Sequence, residues 1–292
     1  MSTIIQFIHS GKEHSEKSGK NWNIGKHLRK YMLINGEYIS ESNSTPQKEN
    51  IFFWGEWEAQ SYLINDIQTD TKSFPKYIFK PYYKTTNEGV NTDPFIFGNQ
   101  FYYRLCRQLT SPSLRSLVCG DIILFGSCLN KQFVLDTVFV VKNYIDYNSS
   151  NFSIFTKITN DVFLDVSFER AITPKADDNC NKKKHACNEK GENYKGKTDF
   201  KLRMYEAVMY QDKDKFNGMF SYAPCMQHTG NIQGFSRPVI KLPGIISQTL
   251  SQNFKKTNQS DIKPIWDSIT GQVLCMGLSL MVNNELPPKI LT

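Results

Sequence analysis

Short apolar runs separated by polar stretches predict a fold built mainly from strands. The runs at residues 121–127 and 133–141 are rich in β-branched side chains and have polar flanks, which is typical of neighbouring buried strands. Residues 3–8 and 51–58 give two further apolar strands, and residues 200–210 alternate as a half-buried strand does. The pattern predicts an α+β protein, predominantly β, with a mixed or barrel-like sheet and a few short helices.

Turn residues divide this pattern into elements. Asn35-Gly36 stands between two apolar stretches, which predicts a tight hairpin, since this dipeptide favours the positive φ angles of such turns. Pro75 and Pro81 flank an aromatic segment and predict a strand that lies at a sheet edge or is bounded by loops, because proline donates no backbone hydrogen bond. Short helices are expected at residues 113–118 and at 247–253 or 265–268.

The composition changes sharply at residues 171–199. Paired aspartates, three consecutive lysines and several glycines and asparagines replace the apolar pattern there. Such a segment buries too little apolar surface to fold by itself. We predict a single globular domain over residues 1–292, with a long mobile loop or insertion at 171–199.

The charge of the chain bears on the class of partner. The formal net charge is +7 at pH 7, and 13% of the residues are aromatic. An excess of Lys and Arg favours an anionic partner such as nucleic acid, although the same charge also serves solubility. Aromatic side chains favour strands and, where they reach a surface, stack on flat ligands.

Cysteine usage and hydropathy indicate where the protein works. The seven cysteines show no short regular spacing, which fits reduced thiols in a cytoplasm. No window approaches the roughly 18 apolar residues of a membrane helix, and residues 1–14 lack the apolar stretch of a secretion signal. We therefore expect a cytoplasmic protein without a membrane partner.

A short aromatic and acidic stretch concentrates the side chains that a pocket for a flat ligand needs. Trp54 and Trp57 offer aromatic walls for stacking. Glu56, Glu58 and Gln60 lie beside them in the sequence and offer polar groups that can read the edge of a ligand. Tryptophans in a strand are more often part of the core, so a structural role and a binding role both stay open.

A second cluster adds guanidinium groups to the same mixture. Arg104 and Arg107 can hold phosphate with paired hydrogen bonds. Asn91 and Gln108 carry carboxamides, which can pair with the edge of a base. Asp93 precedes a proline, and its alternative role is to form a turn.

Other chemistries find little support in the sequence. Cys180, His185 and Cys187 lie close together, but they lack the paired spacing and the fourth ligand of a zinc site. The chain has no phosphate-binding Gly-Lys-Ser loop, no dinucleotide fingerprint and no serine-hydrolase elbow. We expect no metal and no cofactor.

Five blocks of sequence together carry a family resemblance. They are Phe-Trp-Gly-Glu-Trp-Glu at 53–58, Asn-Thr-Asp-Pro-Phe-Ile-Phe-Gly at 91–98, Gly-Asp-Ile-Ile-Leu-Phe-Gly-Ser at 120–127, Leu-Asp-Thr-Val-Phe-Val-Val at 135–141 and Phe-Ser-Arg-Pro at 235–238. The chain thereby resembles the nucleotide modification associated domains of bacteria and phages. The block at 120–127 is also similar to the small β-barrels of the PUA, EVE and YTH type, which bind a modified base turned out of a nucleic acid strand.

The resemblance implies roles for the candidate residues. The residues that would stack on a base or read its edge are Trp54, Trp57, Asn91, Phe97, Tyr102 and Gln108. The residues that would hold the flanking phosphates are Lys26, Arg29, Lys30, Arg104 and Arg107. Binding through such contacts weakens as the salt concentration rises.

Three functions remain open on the sequence alone. The leading one is a nucleic-acid-associated protein, with DNA as the expected partner, that recognises a modified base and acts in defence against foreign DNA. The second is a DNA glycosylase, in which Asp93, Asp136 or Glu56 would stabilise positive charge on the sugar and orient water. The third is a protein-interaction module whose aromatic clusters are core and whose charge only serves solubility.

Overall fold

The computed structural model describes residues 1–12, 29–66, 75, 77–84, 90–108, 111–129, 132–147, 152–168, 202–230, 234–247 and 253–291. Within these ranges the strands are β1 (Ser2–Lys12), β2 (Lys30–Ile39), β3 (Gln47–Gly55), β4 (Ser61–Asp66), β5 (Tyr77–Pro81), β6 (Tyr102–Tyr103), β7 (Ile122–Leu129), β8 (Gln132–Tyr147), β9 (Leu202–Ala207), β10 (Ala223–Gln227), β11 (Asn253–Thr257) and β12 (Ser279–Asn284). The helices are α1 (Asp161–Phe163), which continues as a π-helical stretch over Leu164–Phe168, and α2 (Ile262–Cys275), with 3-10 turns at Pro112–Arg115, Phe152–Lys157 and Tyr210–Phe216. The predicted class, α+β and predominantly β, is confirmed.

The first sheet has six strands in the order β11-β1-β7-β8-β9-β6. β7 and β8 pair antiparallel, and every residue of β7 is buried, which confirms that residues 121–127 and 133–141 form neighbouring buried strands. β1 pairs with β7 in parallel, and β9 pairs with the C-terminal half of β8. The sheet is therefore mixed, as the sequence predicted.

The second sheet, in the order β12-β10-β3-β2-β5-β4, closes partly on itself. β12 also pairs with β2, so the strands β12, β10, β3 and β2 form a small closed barrel. The predicted hairpin at Asn35-Gly36 is wrong, because β2 runs straight through both residues. Gly36 pairs with β3 on one side and with β12 on the other. A Cβ there would lie 2.8 Å from the Ile51 side chain and 2.9 Å from the Asn283 carbonyl oxygen, so the glycine permits close strand approach rather than a turn.

The structure confirms the remaining predictions of strands and helices only in part. β5 lies between β2 and β4, so it is not an edge strand, and Pro81 is its last residue. The short helix expected at 113–118 is only partly seen, as a 3-10 turn over Pro112–Arg115. The short helix expected at 265–268 is instead a 14-residue helix, α2. The alternative helix at 247–253 is not seen where it is described, since Asn253 begins β11 and residues 248–252 lie outside the described ranges.

The long strand β8 connects the two sheets. Val138 and Tyr222 exchange backbone hydrogen bonds just before β10, and the Leu135 amide donates to the carbonyl oxygen of Pro238. α2 packs on this junction, where the Trp266 indole donates to the carbonyl oxygen of Phe220 and the Tyr222 and Thr270 hydroxyls share a hydrogen bond of 3.0 Å. The two sheets are therefore built into one structure.

The buried apolar side chains form two packed clusters, and each draws on both sheets. One contains Phe7 from the first sheet and Phe53 from the second, and the other contains Val138 and Phe52 in the same way. The insertion predicted at 171–199 lies outside the described residues. In the part of the chain that the structure describes, no helix is both long and apolar enough to cross a membrane.

Candidate functional site

Six ionisable side chains gather where β2 begins and β3 ends, and all of them are buried. This charge cluster consists of Arg29, Lys30, Glu56, Glu58, Asp136 and Arg237. The antiparallel register pairs Lys30 with Gly55, so the residues that open β2 necessarily lie beside those that follow β3. The other two members of the charge cluster, Asp136 and Arg237, come from β8 and from the segment after β10.

A β-bulge positions Asp136. In the β7–β8 ladder Phe125 pairs with Thr137 and Gly126 pairs with Leu135, which leaves Asp136 as the extra residue of the bulged strand. A bulge bends its strand and redirects the side chain of the extra residue. The hydrogen bond from the Leu135 amide to the Pro238 carbonyl oxygen places Arg237 beside the same bulge.

Asp136 links the two guanidinium groups of the charge cluster. One of its carboxylate oxygens accepts a hydrogen bond of 2.6 Å from Arg29 Nε, and the other lies 3.2 Å from Arg237 Nη1. Arg29 Nη1 also donates to Glu56 at 2.7 Å. Burial alone would lower the pKa of Arg29, but Asp136 and Glu56 together raise it above its ordinary value, so this guanidinium stays charged.

Arg237, besides its contact with Asp136, lies against an indole ring. Its guanidinium lies 4.8 Å from the ring centroid of Trp54 and donates to the Ser127 hydroxyl at 2.5 Å. The Trp54 indole N–H in turn donates to the carbonyl oxygen of Phe235. An aromatic face, donors and acceptors therefore meet within one part of the interior.

Lys30 forms the margin of the charge cluster nearest to β4. Its ammonium group lies 3.3 Å from both the Ala59 carbonyl oxygen and the Ser61 hydroxyl, and 5.7 Å from the Phe79 ring centroid. Burial lowers the pKa of Lys30 to about 8, although the carboxylates of Glu58 and Glu56 favour its charged form. This ammonium can therefore lose its proton at mildly alkaline pH.

The side chain of Asp93 is engaged by the backbone of another segment. Its two carboxylate oxygens accept hydrogen bonds from the backbone amides of Arg104, Leu105 and Cys106. Burial raises the pKa of Asp93, while these amides and the Arg104 guanidinium act in the opposite direction. The carboxylate thus holds the loop that follows β6.

Arg104 and Gln108 are also bound within the protein. The Arg104 guanidinium donates to the Asn91 side chain at 3.3 Å, to the Tyr147 hydroxyl at 3.3 Å and to the carbonyl oxygen of Ser167. The carboxamide of Gln108 donates to the Arg203 carbonyl oxygen and accepts from the Arg203 amide. Both polar groups connect backbone segments in this structure.

The aromatic residues selected from the sequence lie in the interior. Trp57 and Phe97 pack edge to face, with ring centroids 4.9 Å apart, and the Trp57 indole N–H donates to the Gln60 carbonyl oxygen at 2.6 Å. Trp54 and Tyr102 are likewise buried. A base could stack on any of these four rings only after the surrounding side chains moved.

The residues selected for phosphate binding are divided between different environments. Arg29 and Lys30 belong to the charge cluster, and Arg104 is buried beside Asp93. Arg107 is exposed, at a positive φ of 58°. Lys26 lies outside the described residues.

The described residues contain no cluster suited to bind a metal ion. In the ranges that the structure describes, no group of three His, Cys, Asp or Glu side chains is arranged to hold a metal ion. The weak candidates Cys180, His185 and Cys187 fall outside those ranges.

Sequence reasoning missed two features that the structure reveals. The contact between Arg237 and Asp136 joins positions 101 residues apart, which no local pattern indicates. The second feature is a pair of stacked rings formed by the exposed Tyr62 and the half-buried Tyr82. The alternation Lys80, Tyr82, Lys84 was its available signal, since side chains two residues apart share a face of extended chain.

Comparison of the chain with protein-family models, with curated proteins and with solved structures found no match.

Proposed function

We propose that the protein associates with nucleic acid and recognises a base, of the modified kind that the family resemblance implies, at the charge cluster. One observation carries the proposal: three cationic and three anionic side chains lie buried in the charge cluster, and the guanidinium of one of them, Arg237, lies over the ring of Trp54.

Stability alone gives a poor account of the charge cluster. Removing an ion from water costs several kcal/mol even after relaxation, and buried ion pairs often contribute no more than well-packed apolar residues would. Groups with perturbed pKa values, such as Lys30, concentrate at functional sites. The charge cluster is therefore the best-supported site for a ligand among the described residues.

The balance of charge indicates the kind of ligand. Two arginines and one lysine face two glutamates and one aspartate, so the formal charges of the six side chains cancel. A phosphate site would carry excess positive charge, whereas a nucleobase edge is neutral and presents both donors and acceptors. By its balance of charge, the charge cluster suits the edge of a base better than a phosphate, and a base would reach the ring of Trp54 once the surrounding side chains had moved.

The contacts of the acidic candidates favour binding over hydrolysis. Asp136 is held between Arg29 and Arg237, and Glu56 is held by Arg29. The carboxylate of Asp93 accepts hydrogen bonds from three backbone amides. Carboxylates engaged in this way fix structure and orient donors, so we propose a reader of a base rather than a glycosylase.

The test is retention of DNA by the purified protein. Plain and modified phage DNA are offered at two salt concentrations, and retained complex and abasic sites are both assayed. We expect selective retention of the modified DNA, weaker at the higher salt because phosphate contacts release counterions. Equal retention of both DNAs would contradict the proposal. Abasic product on modified DNA would show that the protein is a glycosylase and not only a base-binding protein.

Two variants connect this result to the charge cluster. Glu56→Gln keeps the shape of the side chain and removes its charge, and Ser127→Ala removes only the hydroxyl that Arg237 contacts. We expect each to reduce the preference for modified DNA by about tenfold or more, as loss of one charged hydrogen bond does. Asp212→Asn, which breaks the more exposed ion pair with Lys142, is the matched control and should leave the preference unchanged.

A further inference from the structure

Four side chains form a basic and aromatic surface where β4 and β5 meet. We call this surface the tyrosine platform, and it consists of Tyr62, Lys80, Tyr82 and Lys84. Tyr62 pairs with Lys80 in the antiparallel register, so the two side chains point to the same face of the sheet. Tyr82 lies just beyond the end of β5 and its ring stacks on that of Tyr62, and Lys84 is half-buried two residues further along the chain.

The two tyrosine rings are stacked, and Tyr62 is exposed whereas Tyr82 is half-buried. Their centroids lie 4.1 Å apart with planes at 22°, and Tyr62 is 50% exposed. Leu63 and Ile64 beside it are 56% and 43% exposed. β4 is the last strand of its sheet in the described chain, so this apolar and aromatic surface ends at a sheet edge.

The tyrosine platform rests on the aromatic core beneath it. The carbonyl oxygen of Gln60 accepts from the Tyr82 amide at 3.1 Å and from the Trp57 indole at 2.6 Å. The side-chain oxygen of Gln60 accepts from the Lys84 amide at 3.0 Å. These contacts fix the backbone that carries Tyr82 and Lys84, so a ligand meets a surface that is already ordered.

We propose that the tyrosine platform binds a single-stranded stretch of nucleic acid, whose bases stack on Tyr62 and Tyr82 and whose phosphates lie against Lys80 and Lys84. The inference rests on the proposed association with nucleic acid and adds the strand form and a second contact surface. In a duplex each base face is covered by its neighbours, whereas a single strand offers free faces to aromatic rings. The tyrosine platform carries two ammonium groups and no carboxylate among its four side chains, which complements a phosphate backbone.

The test measures binding of labelled oligonucleotides by fluorescence anisotropy. The probes are a single-stranded thymidine oligomer of about 12 nucleotides, within the site sizes of single-strand binders, and a blunt duplex of the same length. We expect tighter binding of the single strand. Tyr62→Ala and Tyr82→Ala should each weaken that binding by about 5- to 100-fold, as loss of one stacked base does.

Two further variants separate stacking from charge. Lys80→Gln should reduce the steepness of the salt dependence by about 0.7, the contribution of one phosphate contact on a single strand. Tyr144→Ala is the matched control, because Tyr144 is a half-buried tyrosine with the Arg203 guanidinium 3.8 Å from its ring, but it lies on the first sheet. It should leave single-strand affinity unchanged.

Each outcome separates this inference from the function on which it rests. If the wild-type protein binds the single strand and the tyrosine variants bind it equally well, the tyrosine platform is not the site, while association with nucleic acid stands. If modified DNA is retained but the single-stranded oligomer is not bound, the base reader stands and this inference is overturned. If sedimentation shows dimers that Tyr62→Ala dissociates and no oligonucleotide is bound, the surface pairs with a second copy of the chain instead.

Discussion

Lys30 is a cationic side chain that the fold places in a buried position next to two carboxylates. Its pKa is lowered to about 8 by burial, against an ordinary value of 10.5. Between these two values the unfolded chain holds a proton that the folded protein has released. Stability therefore rises with pH in this window, by at most about 1.4 kcal/mol per pH unit.

We predict that this rise disappears in Lys30→Met. Urea unfolding of both proteins at pH 7, 8, 9 and 10 gives the comparison, and the difference between their unfolding free energies should change by about 1 to 3 kcal/mol across the series. Buried tyrosines such as Tyr222, whose pKa is raised by burial, oppose the rise above pH 10 in both proteins and so cancel in the difference. Parallel curves for the two proteins would contradict the assignment.

For single residues, the sequence identified candidate side chains more reliably than it identified the contacts that those side chains make. Glu56 and Asp136 were selected for their chemistry, yet Arg29, which holds both, lies 27 and 107 positions away from them. Gln108 was selected to read a base, and it instead joins two backbone segments. A side chain that can bind a ligand can equally bind the protein, and only the tertiary fold decides between the two.

At the scale of elements, the β7–β8 pair depends on one glycine. A Cβ on Gly126 would lie 2.1 Å from the Val134 carbonyl oxygen and 2.6 Å from the Phe133 ring. The backbone of β8 would have to move, and the bulge that presents Asp136 would move with it. We predict that Gly126→Ala lowers the unfolding free energy by about 3 kcal/mol or more, measured by denaturant titration.

Gly271 provides the control for this substitution. It lies within α2, and a Cβ there meets no atom within 4 Å. Alanine is the better helix former, so Gly271→Ala should raise the unfolding free energy by about 0.5 to 1 kcal/mol. A loss of equal size in both variants would show that crowding at Gly126 is not the cause.

Strands with two buried faces were the most predictable elements. β7 and β8 appear as continuous apolar runs because both of their faces are covered. The hairpin predicted within β2 was wrong because Asn-Gly is a local turn signal. In the folded protein Gly36 instead permits the close approach of two neighbouring strands. Closure of the barrel joins β2 to β12, about 240 residues later in the chain, and no sequence window contains both.

At the scale of the whole molecule, the shared cores predict cooperative unfolding. The chain has 292 residues, beyond the size at which a single transition is usual. Both apolar clusters nevertheless draw on both sheets. β8 pairs with β7 and β9 of the first sheet, and its Val138 exchanges backbone hydrogen bonds with Tyr222, just before β10 of the second. Neither sheet can therefore lose its structure without exposing the core of the other.

We predict one transition in calorimetry, coincident with those followed by tryptophan fluorescence and far-ultraviolet circular dichroism. Tyr222→Phe removes the hydroxyl contact with Thr270 at the junction, so it should lower the midpoint while the transition stays single. Two separated transitions would show that the described chain contains two independent domains, contrary to the single domain that the sequence predicted.

The hydrogen bonds around Gln60 give the molecule an optical property. The Trp57 indole N–H lies 2.6 Å from the Gln60 carbonyl oxygen and 3.3 Å from that of Tyr82, so the polarity felt by this buried fluorophore depends on where the chain at Tyr82 sits. A displacement of Tyr82 therefore reaches the indole directly through the carbonyl group of Tyr82 and indirectly through that of Gln60, which also accepts from the Tyr82 amide. Binding at the tyrosine platform should therefore shift the emission wavelength of Trp57, which would make this buried indole an intrinsic reporter of the proposed ligand.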